Sequence, residues 1–189
     1  IQAQIERVNA NTKLSDNEKA QALELLQLAL TRSDAAAERR QRTREYADAV
    51  TSAPLERATF DAQATKLSDL QLPPSLVGAP LAKLETRLTR DEAELAALRH
   101  RSATISDDLQ KEKAFDIQAA LENARQQVPS NSVELSDPKE THDAQAVLMA
   151  ITRYWRDTRV DLLEQRLLSR NVRLARWDSE LLLVAKKIA

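Results

Sequence analysis

Leu81 to Leu109 reads LAKLETRLTRDEAELAALRHRSATISDDL, and this stretch decides the fold. Leu81, Leu84, Leu88, Leu95, Leu98, Ile105 and Leu109 recur at spacings of three and four or their sum, with Asp91 and Ser102 as polar interruptions. A half-buried strand would alternate every second residue. This period instead gives a helix with a narrow apolar seam, the pattern that winds helices around one another. The seam shifts phase around Lys111-Glu112-Lys113 and resumes at Ala114, Ile117, Leu121, Ala124 and Val128. A stutter of that kind bends or unwinds a supercoil locally, so one helix is expected over about 80–128.

Working outward, Leu72 to Pro80 holds the only glycine and three of the six prolines, and reads as the main turn. Ser15 with Glu18 three positions on has the form of a capping box and predicts a helix over about 15–52. Its apolar face takes in Ala22, Leu23, Leu26, Leu30, Ala37, Tyr46 and Val50. Pro54 marks a kink or a fresh start, with a shorter helix over about 55–71 carrying Phe60, Ala64, Leu67 and Leu70. Pro129-Ser130-Asn131-Ser132 stops the next helix, and Ser136-Asp137-Pro138 starts the last, over about 138–188. That helix carries Leu148, Ile151, Trp155, Val160, Leu163, Leu167, Leu174, Trp177, Leu181, Val184 and Ile188, with Arg170 as the one charge in its second series.

At a rise of about 1.5 Å per residue the two later helices are each roughly 75 Å long, and the first two stacked across Pro54 match them. Three rods joined by two Pro-rich turns predict an all-α, elongated antiparallel bundle or coiled coil, up-down-up, with the first rod kinked at Pro54. Residues 1–189 are expected to form one elongated helical domain. Both ends look cut, as in a piece of something longer.

Composition agrees with long helices and excludes most chemistry. Ala and Leu account for nearly a third of the 189 residues, 30% are charged, 3% are aromatic and glycine occurs once. A single glycine cannot build a P-loop or a dinucleotide fingerprint, and zero cysteines remove disulfides and thiolate chemistry. A formal net charge of -1 gives no overall field toward nucleic acid, and no nucleic-acid partner is expected. The longest aliphatic run, Leu181 to Ala185, is far below the roughly 20 residues that span a bilayer.

Each candidate for catalysis meets a plainer explanation. His100 and His142 lack the Glu-x-x-His spacing of helix metal sites, since positions 97 and 139 are Ala and Lys. Ser136-Asp137-Pro138-Lys139 and Ser15-Asp16-Asn17 match Ser-x-x-Lys and Ser-Asp-Asn, but in reversed order and without Lys-Thr-Gly. Both sit where helix caps are wanted. Carboxylates such as Asp91, Glu92, Asp107 and Asp108 read as a solvated face. No enzyme activity, cofactor or metal is expected. Contact with a partner is a different matter. Arg39, Arg40, Arg42 and Arg44 form the one local concentration of positive charge, and Tyr154 beside Trp155 places at least one large aromatic near the surface. These six residues are the candidate partner contacts.

Tyr46 with Ala49 and Ala53-Pro54, then Leu84-Glu85-Thr86-Arg87-Leu88 with Glu92-Ala93-Glu94-Leu95, then Leu163-Glu164-Gln165-Arg166-Leu167-Leu168-Ser169 follow one another in a recognisable order. Over nearly the whole chain this resembles the N-terminal periplasmic helical domain, labelled "porin", of large bacterial mechanosensitive channels of the small-conductance family. The family tends to carry a proline near Lys113-Ala114; this chain has none, which predicts a straighter helix there. The resemblance implies a periplasmic domain of an inner-membrane ion channel that opens under tension in osmotic stress. It implies a homo-oligomer, a heptamer in the family, touching membrane only through other segments. The domain would act as spacer, assembly element, contact to the envelope or another protein, or modulator of gating. It brings no catalytic or ligand residue to matching positions. The alternative read from the sequence is a cytosolic coiled-coil scaffold or adaptor that binds another protein.

Overall fold

A computed structural model describes residues 1–67, 80–127 and 139–188. The described residues are 94% helical and contain no strand. Five helices follow in order, α1 (Gln2–Ala10), α2 (Asp16–Leu67), α3 (Leu81–Ala114), α4 (Ile117–Gln126) and α5 (Lys139–Ile188). The all-α class expected from the seam is what the chain adopts. The expected turn at Leu72 to Ala79, the stop at Pro129 to Ser132, the start at Ser136 to Pro138 and the last residues of the 55–71 and 80–128 helices lie outside the described residues.

The start of α2 follows from its sequence. Backbone N–H and Oγ of Ser15 both donate to Glu18 Oε2 at 2.7 Å, and the Glu18 N–H donates to Ser15 Oγ at 3.3 Å. That is the reciprocal capping box, satisfying N–H groups that a helix end otherwise leaves without partners. Ahead of it lies α1, a short helix that the sequence reading did not assign. Its Ile5 and Val8, with Ile1 just before it, stand at helical spacing and pack on α2 and α5.

Pro54 lies inside α2, which continues through it. The expected division into helices 15–52 and 55–71 is therefore corrected. Proline removes one backbone donor and crowds the preceding turn, but the adjoining Ala53 is buried and anchors the segment while Pro54 itself is exposed. The buried stripe of α2 is alanine: Ala22, Ala29, Ala36, Ala53 and Ala64, joined by Leu26. Small residues let neighbouring backbones approach. Ala37 and Val50, expected on the apolar face, are exposed; Ala37 lies about 100° round from buried Ala36.

The expected continuous helix over 80–128 is also corrected. It is interrupted at Phe115 and Asp116, where Phe115 is extended with φ -77° and ψ 117°. Upstream, Ile105, Leu109 and Glu112 are buried, and downstream Ile117, Leu121 and Ala124. From Glu112 to Ile117 is five residues, about 140° out of phase on one continuous helix. An extended residue breaks the helical phase at this point, so the phase shift read from the sequence coincides with a break.

Two compact units are distinguished by their internal packing, Ile1–Ala47 with Ile117–Leu167 and Asp48–Asp116 with Leu168–Ala189. In the first, Arg32 pairs with Thr152 and Arg39 with Trp155, numbers that rise together, so α2 and α5 run parallel. Arg125 meets Glu164 and Gln127 meets Arg159, so α4 runs against α5. Its core is Val8, Ala22, Leu26 and Ala144, with Ile5, Leu23 and Val147 packed against it.

In the second unit Glu56 meets Arg176 and the Ala64 carbonyl meets Lys186, again parallel, while Arg101 meets Glu180 and Glu112 meets Arg173, antiparallel. The seam of α3 is buried only in its later half. Ile105 is 2% exposed, whereas Leu81, Leu84 and Leu88 are 72%, 37% and 59% exposed.

Candidate functional site

Four of the six expected contact residues are brought together in the first unit. Trp155 is half-buried on α5, and the Arg39 guanidinium of α2 stacks over its ring, 4.3 Å from the centroid. Arg39 Nη1 also donates to the Trp155 carbonyl at 2.9 Å. Next to it, Arg40 Nη1 donates to the exposed Tyr154 hydroxyl at 3.1 Å. Arg42 and Arg44 are exposed and make no ion pair among the described residues.

Periodicity explains the convergence. Arg32 and Arg39 are seven residues apart on α2, two turns on one face, with fully buried Ala36 between them. Thr152, Trp155 and Arg159 stand at the matching positions of α5. Arg32 lies 5.9 Å from the Trp155 centroid, and its Nη1 donates to Thr152 Oγ1. Thr152 in turn donates to the Leu148 carbonyl at 2.6 Å, and buried Thr158 donates to the Trp155 carbonyl at 3.0 Å. Arg159 Nη1 donates to Gln127 Oε1 at 3.2 Å. Burial holds Arg39 below the usual arginine range, and the nearby charge of Arg159 acts in the same direction.

The chemistry of these acceptors matters. Arg32, Arg39, Arg40 and Arg159 give their hydrogen bonds to a threonine hydroxyl, a peptide carbonyl, a tyrosine hydroxyl and a glutamine amide. None has a carboxylate partner among the described residues. Stretches 32–45 and 152–159 together contain eight arginines against four carboxylates, in a chain whose formal net charge is -1. Of those carboxylates Asp157 is paired with Arg156 at 2.9 Å and Glu45 accepts from Gln41 at 3.1 Å. The result is a positively charged patch around an aromatic ring.

Arg32 and Arg159 were not singled out from the sequence. Their signal was the seven-residue spacing of Arg32 to Arg39 and the four-residue spacing of Trp155 to Arg159. Which turn of α2 faces which turn of α5 is settled only by folding. His100 and His142 are both exposed, and Ser15 with Glu18 is engaged in capping. The Ser136 to Lys139 motif falls largely outside the described residues.

The second unit carries a different polar cluster. Arg173 Nη2 donates to Glu112 Oε1 at 2.6 Å with both side chains nearly enclosed, and Arg173 Nε donates to Ser169 Oγ at 3.1 Å. Arg170 Nη2 donates to the carbonyls of Glu112 and Lys113, at 3.0 and 3.2 Å. Those are carbonyls that the break after Ala114 leaves without helical donors, so Arg170 caps α3 from outside. This cluster holds the interruption together.

No curated protein and no solved structure matches the chain. The family model described as the mechanosensitive ion channel porin domain matches residues 4–189, and the resemblance noted from Tyr46, Leu84 and Leu163 points the same way. That family is a channel domain and not an enzyme class. With a match that takes in α1 to α5, the chain belongs to the mechanosensitive ion channel porin domain family.

Proposed function

We propose that this domain is the periplasmic helical arm of an inner-membrane channel that opens under membrane tension in osmotic downshock. The observation that carries the reading is the family match over residues 4–189. No described helix is long and apolar enough to cross a membrane, so the reading assigns the pore and the tension sensor to other segments of the channel polypeptide. The complete channel is a homo-oligomer, a heptamer by the resemblance. The arm acts as a spacer and contact element, engaging the envelope or another protein through Arg39, Arg40, Arg42, Arg44, Tyr154 and Trp155. It modulates gating only through contacts that differ between closed and open channel, because nothing else can bias that equilibrium. A cytosolic scaffold, the other function weighed from the sequence, gains no support from a channel-domain match.

Patch-clamp recording of the full channel polypeptide with residues 1–189 deleted, in a channel-free background, is the test. The expected result is a channel that inserts, assembles and conducts with a shifted opening threshold. Complete loss of conductance despite normal insertion and assembly would overturn the assignment.

A further inference from the structure

We propose that Arg32, Arg39, Arg40 and Arg159, gathered around Trp155, form a binding site for a phosphate group. The proposal goes beyond the channel reading and does not depend on it. Arg32 and Arg39 both lie against the Trp155 ring, Arg159 is near enough for its charge to act on Arg39, Arg40 reaches the adjoining Tyr154, and each gives one N–H to a neutral oxygen. Their remaining N–H groups are available to an oxyanion.

Placing like charges together without carboxylates is unfavourable, and proteins usually relieve it with an interleaved acid. Of the four carboxylates in stretches 32–45 and 152–159, Asp157 is turned to Arg156 and Glu45 to Gln41, and neither Asp34 nor Glu38 forms an ion pair with these arginines among the described residues. A dianion inserted among the guanidiniums supplies the missing compensation through charge-assisted, forked hydrogen bonds. Stacking on Trp155 fixes Arg39 in advance, so less side-chain freedom is lost on binding.

A phosphate dianion fits several convergent arginines better than a single carboxylate, which one guanidinium satisfies. Two sources present that group, a phospholipid headgroup and a free phosphorylated solute. The chemistry at the arginines is the same for both.

Calorimetric titration of the unsubstituted chain with pyrophosphate tests the site directly. Fluorescence of the Trp177→Phe variant, in which Trp155 is the one remaining tryptophan, gives a second readout at the ring itself. We expect saturable heat and a saturable Trp155 signal, both weakened by sodium chloride. Arg39→Gln and Arg159→Gln should each lower the affinity about tenfold or more, the scale of one charge-assisted hydrogen bond. Arg57→Gln, at an exposed pair with Asp61 in the second unit, should leave it unchanged. Because Arg159 gives its hydrogen bond to Gln127 alone, its variant decides the comparison if Arg39→Gln loses helicity by circular dichroism.

Vesicles of phosphatidylglycerol and of phosphatidylcholine separate the sources. A Trp155 response to phosphatidylglycerol alone, with competition by pyrophosphate, marks a headgroup site; a response to pyrophosphate with silent vesicles marks a free phosphate. Absence of any response, or an equal response to sodium chloride at matched ionic strength, overturns the proposal.

Discussion

Arg173 of α5 meets Glu112 of α3 at 2.6 Å, with side-chain exposures of 10% and 4%, at the turn before α3 is interrupted. Glu112 lies on the same face as Ile105 and Leu109, at a place where the seam would otherwise take an apolar residue. The charge is tolerated because its partner reaches it from the facing helix, while Arg170 from the same helix caps the adjoining carbonyls.

Removing one member of that pair leaves the other buried without its counterion. Glu112→Ala or Arg173→Ala should cost about 3–5 kcal/mol in urea unfolding. The double variant Glu112→Leu with Arg173→Met removes both charges and keeps the volume, so it should fall within about 1 kcal/mol of the parent or be more stable. A double variant as unstable as either single one would mean that Ser169 and the Arg170 cap depend on the pair's charges.

Only part of the α3 seam is a core. Ile105 is 2% exposed and Leu88 59%, though both obey the same spacing. Ile105→Ala should cost about 2–4 kcal/mol, and Leu88→Ala less than about 0.5 kcal/mol. Equal costs, read from denaturant midpoints, would show Leu88 to be packed in solution.

The difference between Ile105 and Leu88 marks how far the sequence could be read. Period and composition were enough for the helical class and the capping box at Ser15, but not for the helix bounds at Pro54 and Phe115. They could not tell which turns of a stripe find a partner, because that depends on which turns of the other helices stand opposite them. Likewise the phase shift at Lys111 to Lys113 was visible, but a bent helix and a broken one share the same pattern. The extended Phe115 and the Arg170 cap decide between them, and Arg170 is 57 residues from Lys113 in sequence. For the arginine patch, Arg39, Arg40, Tyr154 and Trp155 stood out as local clusters. Arg32 and Arg159 join only because α2 and α5 run parallel with those turns facing.

Glu18 ties α2 to pH. Hydrogen bonds from the Ser15 backbone and then its hydroxyl hold the Glu18 carboxyl below the usual carboxylate range. A lowered folded-state value means that the ionised form is the one the fold favours. Its contribution is present above the unfolded value of about 4.3 and is lost as pH falls through the lower folded value. Ser15→Ala should return the Glu18 titration, followed by carboxyl-carbon NMR, toward the ordinary range and let the first turn of α2 fray. An unchanged titration would show that the Ser15 backbone N–H alone sets it.

Pro54 allows the sharpest test of the corrected helix. A proline in a helix interior forfeits the hydrogen bond to the carbonyl four residues back, here Val50, and its ring presses on that turn, at a cost of about 3 kcal/mol. Two effects oppose a gain on replacing it. Proline stiffens the unfolded chain, which contributes about 1 kcal/mol to stability, and the neighbouring helices have settled around whatever curvature the ring imposes. Burial does not enter, since Pro54 is exposed while the adjacent Ala53 is only 2% exposed. Pro54→Ala should therefore stabilise the domain by about 1–2 kcal/mol in urea unfolding and raise amide-exchange protection near residue 54. Pro54→Gly serves as the control. It restores the N–H but brings back backbone freedom, and should gain about 1 kcal/mol less than alanine. A loss of stability in the alanine variant would mean that the seating of Ala53 requires the backbone course that proline sets.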